Sequence, residues 1–399
     1  MTQAYDGNGN RTAKYGEQAI AYGGKQKVRT SYRYDIRGQL VEEKDHDSPT
    51  SYTYDAAGNR TGKKTPERVT RYSYNGKDQL TEETWDTGKN IFTYDRQGSI
   101  LEITGTEGSR HFTYNSKNQQ LKVDCEDGRS QENLYDAEGL RYGMKENSTY
   151  TRFVYHRGEL LYEGSDEKEV SYHLGSGIEA AQMGGEEYYY HQDEQLSITL
   201  LTDDTGRIKN YYRYNTFGSI LVEEESVSNR IRYTGQQYDG MSGQYYLRAR
   251  YYNPIVGRFL QEDMYEGDGL NLYAYCRNNP VMYYDPSGYT STGTGGYEIG
   301  AFGGDEGEST ELDTGNWNKG SFDTEEESLR SHFDKHKDEV NAKTPEEYLR
   351  KAEEFARTAK KGSSKSRVSG AVEGVIRYKK NGKYIDLAPD GSIISFGRQ

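Results

Sequence analysis

Tyr34-Asp35-Ile36-Arg37-Gly38-Gln39-Leu40 returns as Tyr54-Asp55-Ala56-Ala57-Gly58-Asn59-Arg60 and again as Tyr94-Asp95-Arg96-Gln97-Gly98-Ser99-Ile100. Tyrosine followed by Asp or Asn falls at Tyr34, Tyr54, Tyr74, Tyr94, Tyr114 and Tyr135, at intervals of 20, 20, 20, 20 and 21 residues. A fixed period of that length marks a repeat architecture. Within a unit the pattern alternates, as in Thr70-Arg71-Tyr72-Ser73-Tyr74, turns at Asn75-Gly76-Lys77-Asp78, and alternates again over Gln79-Leu80-Thr81-Glu82-Glu83-Thr84. That is strand, turn, strand, with Gly or Asn supplying the positive φ of the turn. A single hairpin cannot bury its own face, so the hairpins are expected to pair side by side into one long sheet.

Composition agrees with that reading. The 399 residues include 39 Tyr and 46 Gly, with 32% hydrophobic residues and a mean hydropathy of -1.08. Burial must therefore rest on tyrosine rings that cover apolar surface while their hydroxyls find a partner. So many aromatics exclude a disordered chain. No run of about eighteen apolar residues exists to cross a membrane as a helix. The first residues already lie inside a repeat and lack a signal-peptide pattern, so a piece of a longer protein is expected. Cys125 and Cys276 show no metal or redox spacing and leave two free thiols or one bridge open.

The repeat resembles the YD repeats of the RHS family, which includes wall-associated toxins, teneurins and the C component of Tc toxins. That resemblance implies a mainly β fold in which spiralling antiparallel hairpins form a hollow shell over residues 1–230. Beyond residue 140 the period loosens. The stretch Gly243-Gln244-Tyr245-Tyr246-Leu247-Arg248-Ala249-Arg250-Tyr251-Tyr252-Asn253-Pro254, then Gly257-Arg258-Phe259-Leu260-Gln261-Glu262-Asp263, closes at Tyr284-Asp285-Pro286-Ser287-Gly288-Tyr289. It resembles the RHS-associated core, placed here at 231–289.

In relatives this core plugs the shell and in many cuts its own chain just after the last Asp-Pro-x-Gly-hydrophobe, here after Tyr289. Two close carboxylates can share a proton, one activating water and the other protonating the amide. Asp263 and Asp285 are the candidates, with Asp268 behind them and Arg258 to orient or charge-stabilise a carboxylate. The family usually has proline and leucine where this chain has Met264 and Tyr289. Asp-Pro and Pro-Ser-Gly are also ordinary turn formers, and an internal ion pair is the alternative role for Arg258.

Residues 290–323 are Gly-rich with Ser, Thr, Asp and Glu and read as a linker. The charge then changes sign: residues 331–399 carry 15 Lys and Arg against 10 Asp and Glu, although the whole chain is -13. A basic tail behind an acidic body points to a polyanionic ligand. Thr324 and Glu327 form a capping box ahead of a helix over about 325–340. Thr344, Pro345 and Glu347 open a second helix that runs to Gly362. A basic loop, Lys360 to Arg367, follows. Strand-like runs at Ala371–Lys379, Lys383–Leu387 and Ser392–Phe396, joined at Asn381-Gly382 and Asp390-Gly391, complete a small α+β domain over 324–399: two helices, then a three-stranded antiparallel meander.

That order, with Ser331-His332-Phe333-Asp334-Lys335-His336 and Val375-Ile376-Arg377-Tyr378, resembles the barnase, EndoU, colicin and RelE-like toxin nucleases. The resemblance implies RNA cleavage, tRNA included, without metal or other cofactor. Such chemistry needs a base for the 2′-hydroxyl, an acid for the leaving oxygen and cations for the phosphorane. His332 and His336, four apart on one helical face, are candidates for proton transfer. Arg377 and Arg398 are candidates to clamp phosphate, Ser395 to donate to it, and Lys335 and Lys383 to hold the RNA backbone. The same histidines fit a cap and a packing residue, or the start of a metal site that lacks a third ligand.

The resemblances together imply the end of a secreted or cell-surface RHS toxin for competition between bacteria. Its nuclease would act in the target cytoplasm, and its expected partners are RNA, a cognate immunity protein and the upstream remainder of the shell. A carbohydrate-binding adhesin without enzymatic activity and a metal-dependent DNase toxin are the rival readings.

Overall fold

A computed structural model describes residues 2–20, 24–106, 108–175, 177–264, 269–293, 316–322, 324–340, 342, 344–368 and 372–398, with Asp334, Asp338 and Glu346 seen as backbone alone. Asp268 and most of the expected linker lie outside these residues. The chain divides into two compact units, Met1–Phe302 and Gly303–Gln399.

The first unit is built on a 22-stranded sheet in which each strand pairs antiparallel with the next, from Thr2–Tyr5 to Ile220–Glu225. The repeat motif explains its construction. At each motif tyrosine the hairpin register slips by one residue, as between Thr53 and Tyr54, Ser73 and Tyr74, or Thr113 and Tyr114. Such a bulge re-aims the side chain. The freed tyrosine reaches the preceding hairpin: Tyr54 Oη donates to Leu40 O at 2.9 Å, Tyr74 to Arg60 O at 2.7 Å, Tyr94 to Leu80 O at 3.0 Å and Tyr114 to Ile100 O at 2.9 Å. The acidic partner closes the turn. Asp55 Oδ1 accepts from the backbone N–H of Ala57 and Asn59, both at 2.9 Å, and Gly58 takes φ +81°.

Two residues before most of the repeat tyrosines stands a buried ring, as at Tyr52, Tyr72, Phe92, Phe112 and Phe153. These rings make the inner face of the sheet. The sheet curls until early and late strands meet, with Arg11 and Lys14 on Glu194 at 2.7 and 2.9 Å and Glu43 accepting from Thr216 N at 3.1 Å. Residues 233–264 and 269–289 pack within the space the sheet encloses. A four-stranded sheet, Gln237–Asp239, Gln244–Leu247, Arg250–Asn253 and Arg258–Phe259, packs Tyr246, Tyr251, Val256 and Leu260 against Tyr72, Phe92, Phe112 and Val123 of the inner face. The wholly buried Arg141–Asp239 pair joins plug to shell. A buried pair of this kind adds specificity of position more than stability. No disulfide joins Cys125 and Cys276.

In the second unit, helix α1 (Glu325–Val340) and helix α2 (Pro345–Ala359) begin as the sequence predicts, with Thr324 and Thr344 hydroxyls accepting from the N–H of Glu327 and Glu347. Helix α2 packs across one face of an antiparallel sheet and α1 against its edge strand Ile393–Arg398, with Leu329, Phe333, Tyr348, Ala352, Ile385 and Phe396 in one shared core. The sheet has four strands, Ser364–Arg367, Ile376–Lys380, Lys383–Leu387 and Ile393–Arg398. The expected basic loop therefore supplies an extra strand, invisible as apolar alternation because all four of its residues are exposed. The expected linker also ends early. Trp317 is buried at 3% exposure, donates to Ser328 Oγ at 3.2 Å and bridges to Ile393, so the fold of this unit reaches back to residue 316. Among the described residues no helix is long and apolar enough to cross a membrane.

Candidate functional site

Strand register brings the predicted polar residues of the second unit together. Ser366 lies opposite Arg377, Arg377 opposite Asp386 and Asp386 opposite Ser395, so all four share the sheet face turned away from the apolar packing. Tyr384 and Gly397 belong to the same face, two residues along their strands. Helix α1 adds His332, His336 and Glu339 beside it.

Tyr384 is the centre of this group. Its hydroxyl lies 3.2 Å from Ser395 Oγ and 3.5 Å from His336 Nε2. The other imidazole nitrogen of His336, Nδ1, is 3.0 Å from Glu339 Oε2. The backbone N–H of Arg398 also donates to that carboxylate, and together with His336 it holds Glu339 below the usual carboxylate range. An ionised Glu339 assigns the proton to Nδ1 and turns Nε2 toward the tyrosine. Gly397 leaves room for this: a Cβ there would stand 2.7 Å from Glu339 Oε2 and 3.2 Å from His336 Nδ1. Arg377 grips Asp386 with two hydrogen bonds of 2.7 and 2.6 Å and lies 4.1 Å over the Tyr384 ring.

His332 stacks on His336 with ring centroids 6.1 Å apart and packs against Trp317 at 5.6 Å. Burial, then the neighbouring His336 and Lys335, push its pKa down to about 4. It is a neutral imidazole at neutral pH, with Nδ1 buried and free of hydrogen bonds. His336, Tyr384 and Ser395 are each under a tenth exposed, whereas Arg377 keeps 31% of its side chain open. The arginine is thus the open end of a mostly enclosed polar line. Lys335 is exposed on α1, Lys383 sits 5.9 Å from the Phe396 ring, and the exposed Arg398 enters the site through its backbone.

Tyr384, Asp386 and Glu339 are the residues that sequence reasoning missed. Strand alternation could have found two of them, since the hairpin at Asn381-Gly382 fixes which residues oppose Arg377.

In the first unit the structure separates Arg258 from the two carboxylates. Arg258 Nη1 donates to Asn59 Oδ1 at 2.9 Å and Nη2 to Asp78 O at 2.6 Å, fastening the plug to shell turns. Arg250 takes the expected place instead. Its Nη2 is 2.8 Å from Asp263 Oδ2 and 3.8 Å from Asp285 Oδ2, and its Nε donates to Gly288 O. Asp285 Oδ1 accepts from the N–H of Ser287 at 3.0 Å and of Gly288 at 2.7 Å, which folds the closing turn over both acids. Tyr289 is partly exposed.

The shell also holds a cavity of about 460 Å³ lined by Tyr32, Glu43, Lys63, Glu194 and Arg213 among others. Desolvation and Arg60 press Lys63 down to about 8. Among the described residues no three His, Cys, Asp or Glu side chains stand where they could hold a metal ion.

Residues 11–281, more than half of the chain, match the teneurin YD-shell family. The chain is 37% identical over 169 residues to the tRNA nuclease WapA of Bacillus subtilis, covering 39% of this chain and 7% of that protein. It is 35% identical over 101 residues to the toxin protein Tse5 of Pseudomonas aeruginosa, covering 25% and 8%. The toxin subunit YenC1 of Yersinia entomophaga is 29% identical over 198 residues, 41% of this chain and 20% of that one. Among solved structures, a Photorhabdus luminescens Tc holotoxin pore aligns over 76% of this chain and 19% of its own, with 17% identity and a TM-score of 0.40. The chain thus spans a small part of the proteins it matches. The 169 residues shared with WapA exceed the length of Gly303–Gln399, so that likeness takes in the shell unit.

Proposed function

The chain belongs to the teneurin YD-shell family, and we propose that it is part of an RHS toxin and that its second unit cleaves RNA. The observation that carries this reading is the convergence of His332, His336, Tyr384, Ser395 and Arg377 on one sheet face with helix α1 beside it. Arg377, aimed by Asp386, binds the scissile phosphate and offsets the charge that builds on the phosphorane. His332, neutral at neutral pH, accepts the 2′-hydroxyl proton. The line Glu339–His336–Tyr384–Ser395 moves a proton toward the leaving oxygen. WapA, a named tRNA nuclease, supports tRNA among the substrates.

The chain is secreted or displayed at the cell surface, its nuclease acts in the cytoplasm of a competing cell, and its producer is protected by an immunity protein that covers the basic unit with an acidic surface. Full-length chain incubated with total RNA and with duplex DNA, with and without EDTA, tests the central step. RNA is cut in both conditions and DNA in neither. A folded chain that leaves RNA intact, or that loses cleavage in EDTA, overturns the reading.

A second reading rests on the setting of Arg250. We propose that Asp263 and Asp285 share a proton and cut the chain after Tyr289, with Arg250 holding the pair and the Gly288 carbonyl one residue ahead of the cut.

A further inference from the structure

The strand Ser364–Arg367 lies at an edge of the second unit's sheet, pairing with Ile376–Lys380, and all four of its side chains are exposed. No other strand among the described residues pairs with it, so half of its backbone N–H groups face outward. Lys365 and Arg367 stand on it, turned by strand alternation to the face opposite Ser366 and Arg377, with Lys365 5.5 Å from the Tyr378 ring; the exposed Lys360 and Lys361 lead into it, and Lys379, on the Arg377 face, is opposite Ser364. From Lys360 to Arg367 the sequence has no carboxylate. The edge is also in line with the candidate site. Ser366, Arg377, Asp386 and Ser395 form one cross-strand row, three strand spacings or roughly 14 Å long, from the open edge to the Tyr384 hydroxyl.

Outward N–H groups, serine hydroxyls and unpaired cations are the donors that hold a nucleic-acid backbone without reading its bases. We propose that Ser364–Arg367, with Lys361 and Lys379, is the track on which a single-stranded RNA backbone is held, so that the phosphate crossing Ser366 is delivered to Arg377. The track rests on the ribonuclease reading for its substrate. It replaces Lys335, on helix α1, and Lys383, on an inner strand, as the principal backbone contacts. Lysine on an edge strand also serves to block edge-to-edge pairing of sheets. That service needs the charge but not a phosphate passed across the edge to Arg377.

The test uses the full chain and a fluorescein-labelled 12-residue oligoribonucleotide carrying 2′-O-methyl groups, which cannot be cut through the 2′-hydroxyl. Anisotropy is followed as a function of KCl. With about 0.7 in the slope of log affinity against log salt per phosphate contact, the Lys365→Ala, Arg367→Ala, Lys379→Ala triple variant loses about 2 in slope and binds at least about tenfold more weakly at low salt. The Arg350→Ala, Arg357→Ala variant, exposed on α2, keeps both values. An unchanged slope in the triple variant overturns the track, and a triple variant that self-associates while binding normally identifies the lysines as edge guards. If the parent chain fails to cut RNA while the triple variant still loses slope, the ribonuclease reading falls and the track stands. If cleavage persists with an unaltered KM in the triple variant, the reverse holds.

Discussion

His332 shows how packing sets chemistry. Its ring lies between Trp317, Phe322 and His336, and its pKa falls to about 4 through burial and neighbouring positive charge. Above about 6.5 the imidazole is neutral in folded and unfolded chain alike and has no effect on stability. Between about 6.5 and 4 the unfolded chain takes up a proton that the folded chain refuses, so the second unit loses stability as pH falls through that window. The slope is at most about 1.4 kcal/mol per pH unit, and less in proportion to the ring's partial exposure. Hydrogen exchange of peptides from α1, measured at pH 7 and pH 5, should show faster opening at pH 5 in the parent chain and a much smaller change in His332→Gln. Equal acid sensitivity in both would place the effect elsewhere.

At the same scale, Tyr384→Phe removes the hydroxyl between His336 and Ser395 while keeping the ring under Arg377. The expected loss is about 10²-fold in kcat with KM nearly unchanged, measured on RNA in steady state. Arg377→Lys gives up the two-pronged grip on Asp386 and should raise KM as well as lower kcat. That His332 neighbours His336 and that Arg377 and Ser395 share a sheet face was legible, because imidazoles one helical turn apart and polar residues on alternating strands are local patterns. Tyr384 was not, since a tyrosine in a chain with 39 of them carries no signal until pairing fixes its neighbours.

At the scale of the element, the 20-residue period translates into one hairpin step, and the motif tyrosine is the tie between steps. Tyr94→Phe should therefore cost about 1 kcal/mol by leaving the Leu80 carbonyl without its phenol. Gly98→Ala should cost more, because at φ +82° its Cβ would lie 2.3 Å from Glu262 Oε2 and 2.6 Å from Tyr273 Oη. Denaturant unfolding of the shell orders the two variants; a Gly98→Ala chain as stable as its parent would refute the close fit of plug to turn. The hairpins were legible because each carries its own turn chemistry and alternation. The basic strand at Ser364–Arg367 was not, since an edge strand with every side chain in water has no apolar alternation to betray it.

At the scale of the molecule, the shell was readable from the repeat, but the partner of each plug residue was not, because those contacts join positions up to 271 residues apart. Arg250 and Arg258 are eight residues apart on the same small sheet, and nothing local says which one turns to the acids. The fold decides: Asn253 pairs with Arg258 at the shell side, leaving Arg250 over Phe259 beside Asp263. Self-cleavage gives this placement a sharp consequence. On a denaturing gel the parent chain should resolve into pieces of 289 and 110 residues, and Asp285→Asn and Asp263→Asn should each remain whole, since one carboxylate cannot both activate water and protonate the amide. Arg250→Lys keeps a charge but not the fork that meets Asp263, Leu272 O and Gly288 O, and should cut much more slowly. Arg258→Lys, whose side chain meets turn and amide oxygens and the Tyr74 and Tyr273 rings, should cut at the parent rate once folded. A single uncut band from the parent would defeat the proposal. Equal slowing by both arginine variants would show that fastening the plug to the shell, rather than holding the acid pair, limits the reaction.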